Sequence, residues 1–284
     1  MTLRVGTRGS RLALAQSALA TRTLPDVELV VITTRGDESD APLATLGDGV
    51  FVRAVEEALR RGELDLAVHS LKDLPTEEAD DLVIAAIPPR EDPRDVLVTA
   101  GRAGLAGLRS GAVVGTGSVR RDAFLRALRP DVTTRQIRGN VDTRLAKVAS
   151  GGYDGVVVAL AGLRRLGLAA GDHEGLSLED CPPAPGQGAL ALQCRAADAA
   201  TRAVLAPLDD PATRAGVTAE RALLRRLGAS CEIPLGTHGR LEGGTVRLDA
   251  ALVTPDGVRR ARVSGRDADE AAARAYEGLV PARV

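Results

Sequence analysis

The sequence predicts an α/β protein in which two α/β lobes are followed by a small α+β domain. Three observations carry that expectation. Short apolar runs are repeatedly followed by a glycine-bearing turn and an amphipathic stretch, which favours a mainly parallel sheet flanked by helices. Prolines at 88, 89 and 93, and again at 182, 183 and 185, interrupt this pattern and divide the chain. Beyond Pro211 the pattern changes to a helix, two strands and a closing helix. The expected domains are residues 1–89 with 185–206, then 90–184, then 207–284. A chain of 284 residues favours about two domains by length alone, at roughly 100–200 residues each.

Taken in order, LRVGTRGSRLALAQSALATRTL gives a strand near 3–6 and a helix near 11–23. VELVVITTRGD reads as the next strand. GVFVRAVEEALRRGELD is a helix near 50–61, with Phe51, Val55, Ala58 and Leu59 on one face. LDLAVHSLKDLP alternates like a strand and breaks at Ser70; LVIAAIP near 82–88 is another strand. GAVVGTGSVRRDAFLRAL, TTRQIRGNVDTRLAKVASG and YDGVVVALAGLRRLGL then repeat the strand, turn and helix plan. CPPAPGQGALALQCR, 181–195, is a Pro/Gly hinge before a single strand, which predicts that the chain crosses back to complete the first sheet. DPATRAGVTAERALLRRLGA is a helix ending near Gly228, since glycine favours helix ends. TVRLDAALVTPDGVRRARVSG reads as two strands around a Pro-Asp-Gly turn, and DADEAAARAYEGL as the closing helix.

Composition excludes several function classes. Hydrophobic residues make up 44% and charged residues 26%, as in ordinary globular proteins. The formal net charge of -1 gives no global attraction to nucleic acid or acidic membranes. Two Phe, two Tyr and no Trp leave no aromatic platform for stacked bases. No stretch approaches the roughly 18 apolar residues of a membrane span. The arginines of MTLRVGTRGSRLALAQ break what a secretory core would need. Cys181, Cys194 and Cys231 lie far apart with no CxxC pair, so reduced thiols in a cytoplasmic protein are expected. The three histidines have no metal-site spacing, and no metal is expected.

The chemistry gathers where strands end. Of 37 basic residues only Lys72 and Lys147 are lysines, and Lys72 stands beside Asp73 just past a strand. A Lys-Asp dipeptide in a loop is commonly a surface ion pair, but strand ends in α/β proteins are also where ligands meet polar groups. Arginines cluster in or just before the first helical turn at several junctions. Arg8 and Arg11 flank Gly9-Ser10; Arg120 and Arg121 follow Gly115-Thr116-Gly117-Ser118. Arg138 sits in RGN with Arg144 one helical turn further on, and Arg164 and Arg165 follow Gly162. A helix N-terminus attracts anions, and arginine adds bidentate partners for carboxylate or phosphate. An arginine there opposes the helix dipole by about 0.3–1 kcal/mol unless an anion sits nearby. As a set they predict a cleft for a ligand with several carboxylates. GTGSVR lacks the third glycine of a dinucleotide fingerprint, and there is no GxxxxGK[ST], so these motifs do not point to NAD or ATP. Cys231, in LGASCEIPLG, is open to two readings: a small buried hydrophobe, or a loop nucleophile with a base nearby.

HSLKDLP, GTGSVRR, RGNVDTRL, PGQGAL and GASCEIPLG, in this order and spacing, closely resemble the porphobilinogen deaminase (hydroxymethylbilane synthase) family, from Arg4 to about Leu252. The resemblance implies three domains, the first two like the lobes of type II periplasmic binding proteins joined by two crossovers. It implies a monomeric, cytoplasmic transferase of tetrapyrrole biosynthesis that joins four porphobilinogens head to tail, releases ammonia and hydrolyses off hydroxymethylbilane. Its primer is a dipyrromethane cofactor held by a thioether to the loop cysteine, here Cys231. Asp73 matches the catalytic aspartate, which stabilises the cation left when ammonia departs. Ser70, Lys72, Thr116, Ser118, Arg120 and Arg121 match cofactor contacts, Arg144 a contact of the cofactor or growing chain, and Gln187 lies in the hinge near the cofactor. Arg8, Ser10, Arg138 and Arg165 match substrate contacts, and Phe51 belongs to an active-site loop.

One departure stands out. Where the family often has GGKG this chain has LGDG, with Asp48 in place of the lysine, and it is one residue shorter. An acid repels an anionic substrate, so the loop receives no anion-binding role here. Without the resemblance, the residues alone lead to a non-enzymatic polyanion-binding protein of two lobes. A thiol-dependent acyl transferase would need His69, His173 or His238 beside Cys231.

Overall fold

A computed structural model describes residues 2–33, 52–77, 79–101, 104–168, 175–228 and 233–280. Phe51, Asp48 and Cys231 lie outside the described residues. The chain divides into two compact units, Met1–Glu91 with Ala189–Arg214, and Asp92–Gly188 with Ala215–Val284.

The first unit is built on a five-stranded sheet of order β2-β1-β3-β9-β4. Its strands are β1 (Leu3–Thr7), β2 (Val27–Val31), β3 (Leu66–Ser70), β4 (Leu82–Ala86) and β9 (Leu190–Arg195). Helices α1 (Arg11–Thr21), α2 (Arg53–Arg60) and α6 (Ala199–Leu205) accompany them. Alternation along β3 decides which side chain meets which layer. Leu66 and Val68 join Val5, Leu192 and Cys194 in one apolar cluster, whereas Ala67 joins Val55, Ala58 and Leu59 of α2 in another. Both faces of β3 are thus packed against apolar neighbours.

The crossover strand expected at 189–195 does complete this sheet, as β9 between β3 and β4. The expectation of a mainly parallel sheet holds for the other four strands, and β9 is the exception. β1 runs parallel to β2 and β3, but β9 is antiparallel to both its neighbours. A chain that re-enters a sheet without a right-handed crossover helix is free to run the other way.

The second unit holds two sheets. One has order β5-β8-β6-β7, formed by β5 (Asp95–Thr99), β6 (Val113–Gly115), β7 (Thr133–Arg135) and β8 (Gly155–Ala159). Helices α3 (Val119–Leu128), α4 (Val141–Ala149) and α5 (Leu160–Arg165) follow β6, β7 and β8. Val96, Val156 and Val158 pack on one face, Leu97, Val114 and Val157 on the other. The other sheet is the antiparallel meander β10 (Leu235–Glu242), β11 (Thr245–Thr254) and β12 (Gly257–Gly265). Val246, Leu248 and Ala250 of β11 pack against α7 (Pro211–Arg226) and α8 (Ala268–Leu279). Past α7 the chain turns at Gly228, whose φ of 61° suits glycine.

Within this unit the Pro/Gly segment is pinned by one buried carboxylate. Glu220 of α7 accepts from the backbone N–H of Gly186 and of Gly239, each at 2.6 Å. Gly216 and Gly239 let α7 and β10 touch through their backbones; a Cβ on either would collide with the other's carbonyl. Such contact brings Glu220 within reach of both amides.

Candidate active site

In each unit the polar groups sit where parallel strands end, and each half is built by its own local chemistry. In the first unit β1 and β3 are parallel neighbours, so their C-terminal ends share one edge of the sheet. β1 delivers Arg8 there, followed by Ser10, which caps α1 by accepting from the N–H of Ala13 at 3.2 Å. β3 delivers His69 and Ser70, then tightens into a 3-10 turn, Leu71–Asp73. Leu71 is fully buried and its N–H donates to Ala189 O at 3.0 Å. With Leu71 and Leu74 turned inward, Asp73 is left exposed and Lys72 half-buried. Gln16 on α1 donates to Ser70 Oγ at 3.0 Å, tying helix to strand end.

These residues line a pocket of about 70 Å³ floored by Val55 and Val68, with Arg8, Ser10, Gln16, His69, Ser70 and Asp73 as its polar groups. Burial pushes the His69 imidazole down to about 4; Gln193 pulls it up and the Arg8 charge pushes it further down. The ring is therefore neutral at physiological pH.

In the second unit β6 ends at Gly115 and feeds α3, whose cap Ser118 accepts from the N–H of Arg121. Thr116 is buried in that turn, where its Oγ1 accepts from the Ser118 N–H at 3.1 Å. Because β5 is antiparallel to β8, with Asp95 opposite Ala159, the start of β5 lies at the same edge. Asp95 is 0% exposed and is the anchor of this half. Arg120 donates to it from Nη2, Arg121 from Nη2 at 2.7 Å and Nε at 3.1 Å, and Gln187 from Nε2 at 2.8 Å. Burial alone would push Asp95 up, yet the two guanidiniums outweigh it and hold the carboxyl far below the usual range.

Two cations on one carboxylate leave one positive charge uncompensated within the group. Arg120 is turned inward, with Nη1 donating to Pro182 O at 2.6 Å. Arg121 also donates to Val157 O at 3.1 Å. Arg144, which donates to Gly139 O at 2.7 Å, is pushed down to about 10 by burial and by the charges of Arg121 and Arg138. It stays protonated at neutral pH, so three guanidiniums converge on one region. That is the electrostatic signature of a carboxylate-binding site. The residues fit a carboxylate-bearing cofactor.

Several expectations take a different form. Arg164 and Arg165 were expected in a first helical turn but stand at the C-terminal end of α5, where a cation suits the helix dipole. Arg165 donates to Gly188 O at 2.6 Å, beside the Pro/Gly segment. Gln187 is buried and bridges Pro93 O, at 2.7 Å, to Asp95. Lys147, the second lysine, donates to Arg138 O at 3.0 Å and so holds the RGN turn. Arg138 itself is half-buried. Sequence reasoning missed Asp95, whose signal is an acid opening the apolar run DVLVT.

The described cysteines, Cys181 and Cys194, are buried. Burial pushes the Cys181 thiol up to about 11, so it stays protonated and unreactive. Among the described residues no group of His, Cys, Asp and Glu is placed to hold a metal ion, and no helix is long and apolar enough to cross a membrane.

Comparison with known proteins bears on both halves. An arginine-specific periplasmic binding protein of Salmonella typhimurium overlays on 73% of this chain and 91% of its own at 15% identity, with a TM-score of 0.40. The curated protein named porphobilinogen deaminase from Acidothermus cellulolyticus is 52% identical over 272 residues, covering 92% of this chain and 82% of that protein. Its namesake from Thermus thermophilus is 48% identical over 276 residues, covering 94% and 90%. The family model for the porphobilinogen deaminase dipyromethane cofactor binding domain matches residues 3–203, and that for the porphobilinogen deaminase C-terminal domain matches residues 215–276. The chain belongs to the porphobilinogen deaminase family, enzymes of tetrapyrrole synthesis that act on porphobilinogen with a dipyrromethane cofactor.

Proposed function

We propose that this chain is a transferase that condenses four porphobilinogens head to tail, releases ammonia at each step and hydrolyses off hydroxymethylbilane. The observation that carries the reading is Asp73, exposed on its 3-10 turn at the rim of a pocket that also presents Arg8 and Ser10. Porphobilinogen carries an acetate, a propionate and an aminomethyl group on a pyrrole. Arg8 and the capped N-terminus of α1 suit its carboxylates. The Asp73 carboxylate suits the pyrrole N–H and the cation that develops as the C–N bond to ammonia breaks. It can also accept or return a proton as the new C–C bond forms.

The dipyrromethane cofactor supplies a covalent primer whose free pyrrole carbon accepts the incoming unit. Arg121, Arg144 and Arg138 are proposed to hold its carboxylates, with Thr116 and Ser118 at the turn before α3 and Lys72 and Ser70 beside Asp73. Arg120 and Gln187 act by holding Asp95 and thereby Arg121, and Arg165 orders the segment at Gly188. Cys231 is proposed as the attachment point, which the buried, protonated state of Cys181 supports. Phe51 is proposed to belong to an active-site loop. The same reading makes the chain a cytoplasmic monomer of three domains, 1–89 with 185–206, 90–184 and 207–284; the three separate sheets fit that division. The alternative of a non-enzymatic polyanion binder is not supported by the family to which the chain belongs.

Incubation with porphobilinogen tests the reading. One ammonia released per porphobilinogen consumed, with a linear tetrapyrrole as product, is the expected result. Binding of porphobilinogen without ammonia release would contradict it.

A further inference from the structure

The second lysine of the chain, Lys147, stands against the turn that carries Arg138. β7 ends at Arg135 and α4 starts at Val141, so QIRGN, residues 136–140, is the loop between them. The protein itself takes up most of the carbonyls along this stretch. Arg135 O accepts from the Thr116 N–H and Asn140 O from the Arg144 N–H, each at 3.0 Å. Between them three side chains donate to the backbone. Tyr153 reaches Gln136 O at 2.8 Å, Lys147 Nζ reaches Arg138 O at 3.0 Å, and Arg144 Nε reaches Gly139 O at 2.7 Å. Ile137 is buried with Val148, Val156 and Val158, which anchors the loop from below. Gly139 takes a φ of 106°, and a Cβ there would collide with Thr143.

Water ordinarily serves the carbonyls of a surface loop and leaves the loop mobile. Here side chains take its place, at a cost in their own rotamer freedom. What they fix is the backbone that carries Arg138. Helix geometry explains their reach. Side chains lean toward the N-terminus of a helix and residues three apart share a face, so Arg144 and Lys147 both bend back over the first turn of α4. Arg144 uses Nε on the loop, which leaves its two Nη groups for a carboxylate. Among the described residues Arg138, Arg144 and Lys147 form no ion pair. The charges of Arg121 and Arg138 already press on Arg144, so an unbraced turn would let Arg138 swing away from it. We infer that Lys147 is a positioning residue for carboxylate binding: by holding Arg138 O it keeps Arg138 near Arg144, set for a pyrrole carboxylate of the primer or growing chain. The inference rests on the reading of Arg138 as a carboxylate contact. It gives Lys147 no contact of its own with the ligand.

A double-substitution cycle tests whether Lys147 acts through Arg138. Lys147→Met keeps the apolar stem and loses the donor. It is expected to lower kcat/KM for porphobilinogen by about 10-fold, and Arg138→Met by about 30-fold, the scale of a hydrogen bond to a charged group. Because both changes act on one contact, adding Lys147→Met to Arg138→Met is expected to alter kcat/KM by less than about 2-fold. Lys147→Arg, which keeps a cationic donor, is expected to restore most of the loss. Losses that multiply in the double variant mark a separate role for Lys147 and overturn the inference. A loss in Arg138→Met with Lys147→Met at the wild-type level overturns it too, and leaves the Arg138 reading standing. Arg138→Met at the wild-type level overturns both.

Backbone relaxation gives a readout apart from activity. In the 15N-labelled protein the amides of Arg138 and Gly139 are expected to be rigid, with order parameters of about 0.85, and to fall below about 0.6 in Lys147→Met. Order parameters that do not change in Lys147→Met overturn the inference. A loss of kcat/KM that follows a fall in melting temperature and is not restored by Lys147→Arg marks a role in the stability of α4 alone, and overturns it as well.

Discussion

Asp73→Asn is expected to lower the rate of ammonia release by about 1,000-fold while leaving the protein folded. The scale follows from removing one preorganised electrostatic group from a developing charge. The amide keeps the volume and one acceptor but loses the negative charge that opposes the pyrrole cation. Stability is spared because Asp73 is exposed and the turn is held by Leu71 and Leu74, so the change stays within about 0.5 kcal/mol. Steady-state ammonia release beside a thermal melt checks both halves. Turnover within a few-fold of wild type, with an unchanged melt, would remove Asp73 from the chemistry.

The largest stability effect belongs to Asp95. Asp95→Ala leaves Arg120 and Arg121 facing each other in the interior with no carboxylate between them. Breaking a buried ion pair in this way costs about 3–5 kcal/mol. For a unit of this size that corresponds to a fall in melting temperature of about 10 °C. The substitution also releases Gln187 and the orientation of Arg121, so the fraction of chains carrying the primer is expected to drop with it. The charge is secure against mild acid. Asp95 has its folded value depressed below the ordinary 3.8, so its stabilisation is full above that pH and fades only as the pH falls further. A melt unchanged by Asp95→Ala would show that the buried cluster carries no such weight.

What the sequence discloses and what it hides can be traced to particular residues. Leu66, Val68, Leu190, Leu192 and Cys194 are apolar because their face of the sheet is covered, and that much is legible as strand. Strand direction is not, since an apolar run reads the same parallel or antiparallel; β9 and β5 are the two cases. The cation junctions at Arg8, Arg121 and Arg144 are legible because arginines beside glycine turns need an anion. Which arginine faces a ligand and which is turned inward is set by Asp95, 25 residues upstream of Arg120 and joined to it only through the pairing of β5 with β8. His69 is hidden for a related reason. In sequence it alternates as an ordinary strand residue, and only the fold brings it to a pocket with Arg8 and Ser70. Arg164 and Arg165 mislead because a helix of six residues brings its C-terminus where a first turn was expected.

We propose that this chain builds and carries a covalent pyrrole primer on Cys231. The most direct test is the intact mass of the purified protein under denaturing conditions, beside its Cys231→Ala variant, each weighed before and after incubation with porphobilinogen. A stable excess of two linked pyrrole units is expected on the wild-type chain and none on the variant. A wild-type chain that carries no excess mass even after porphobilinogen, or a variant that retains the excess, would contradict it.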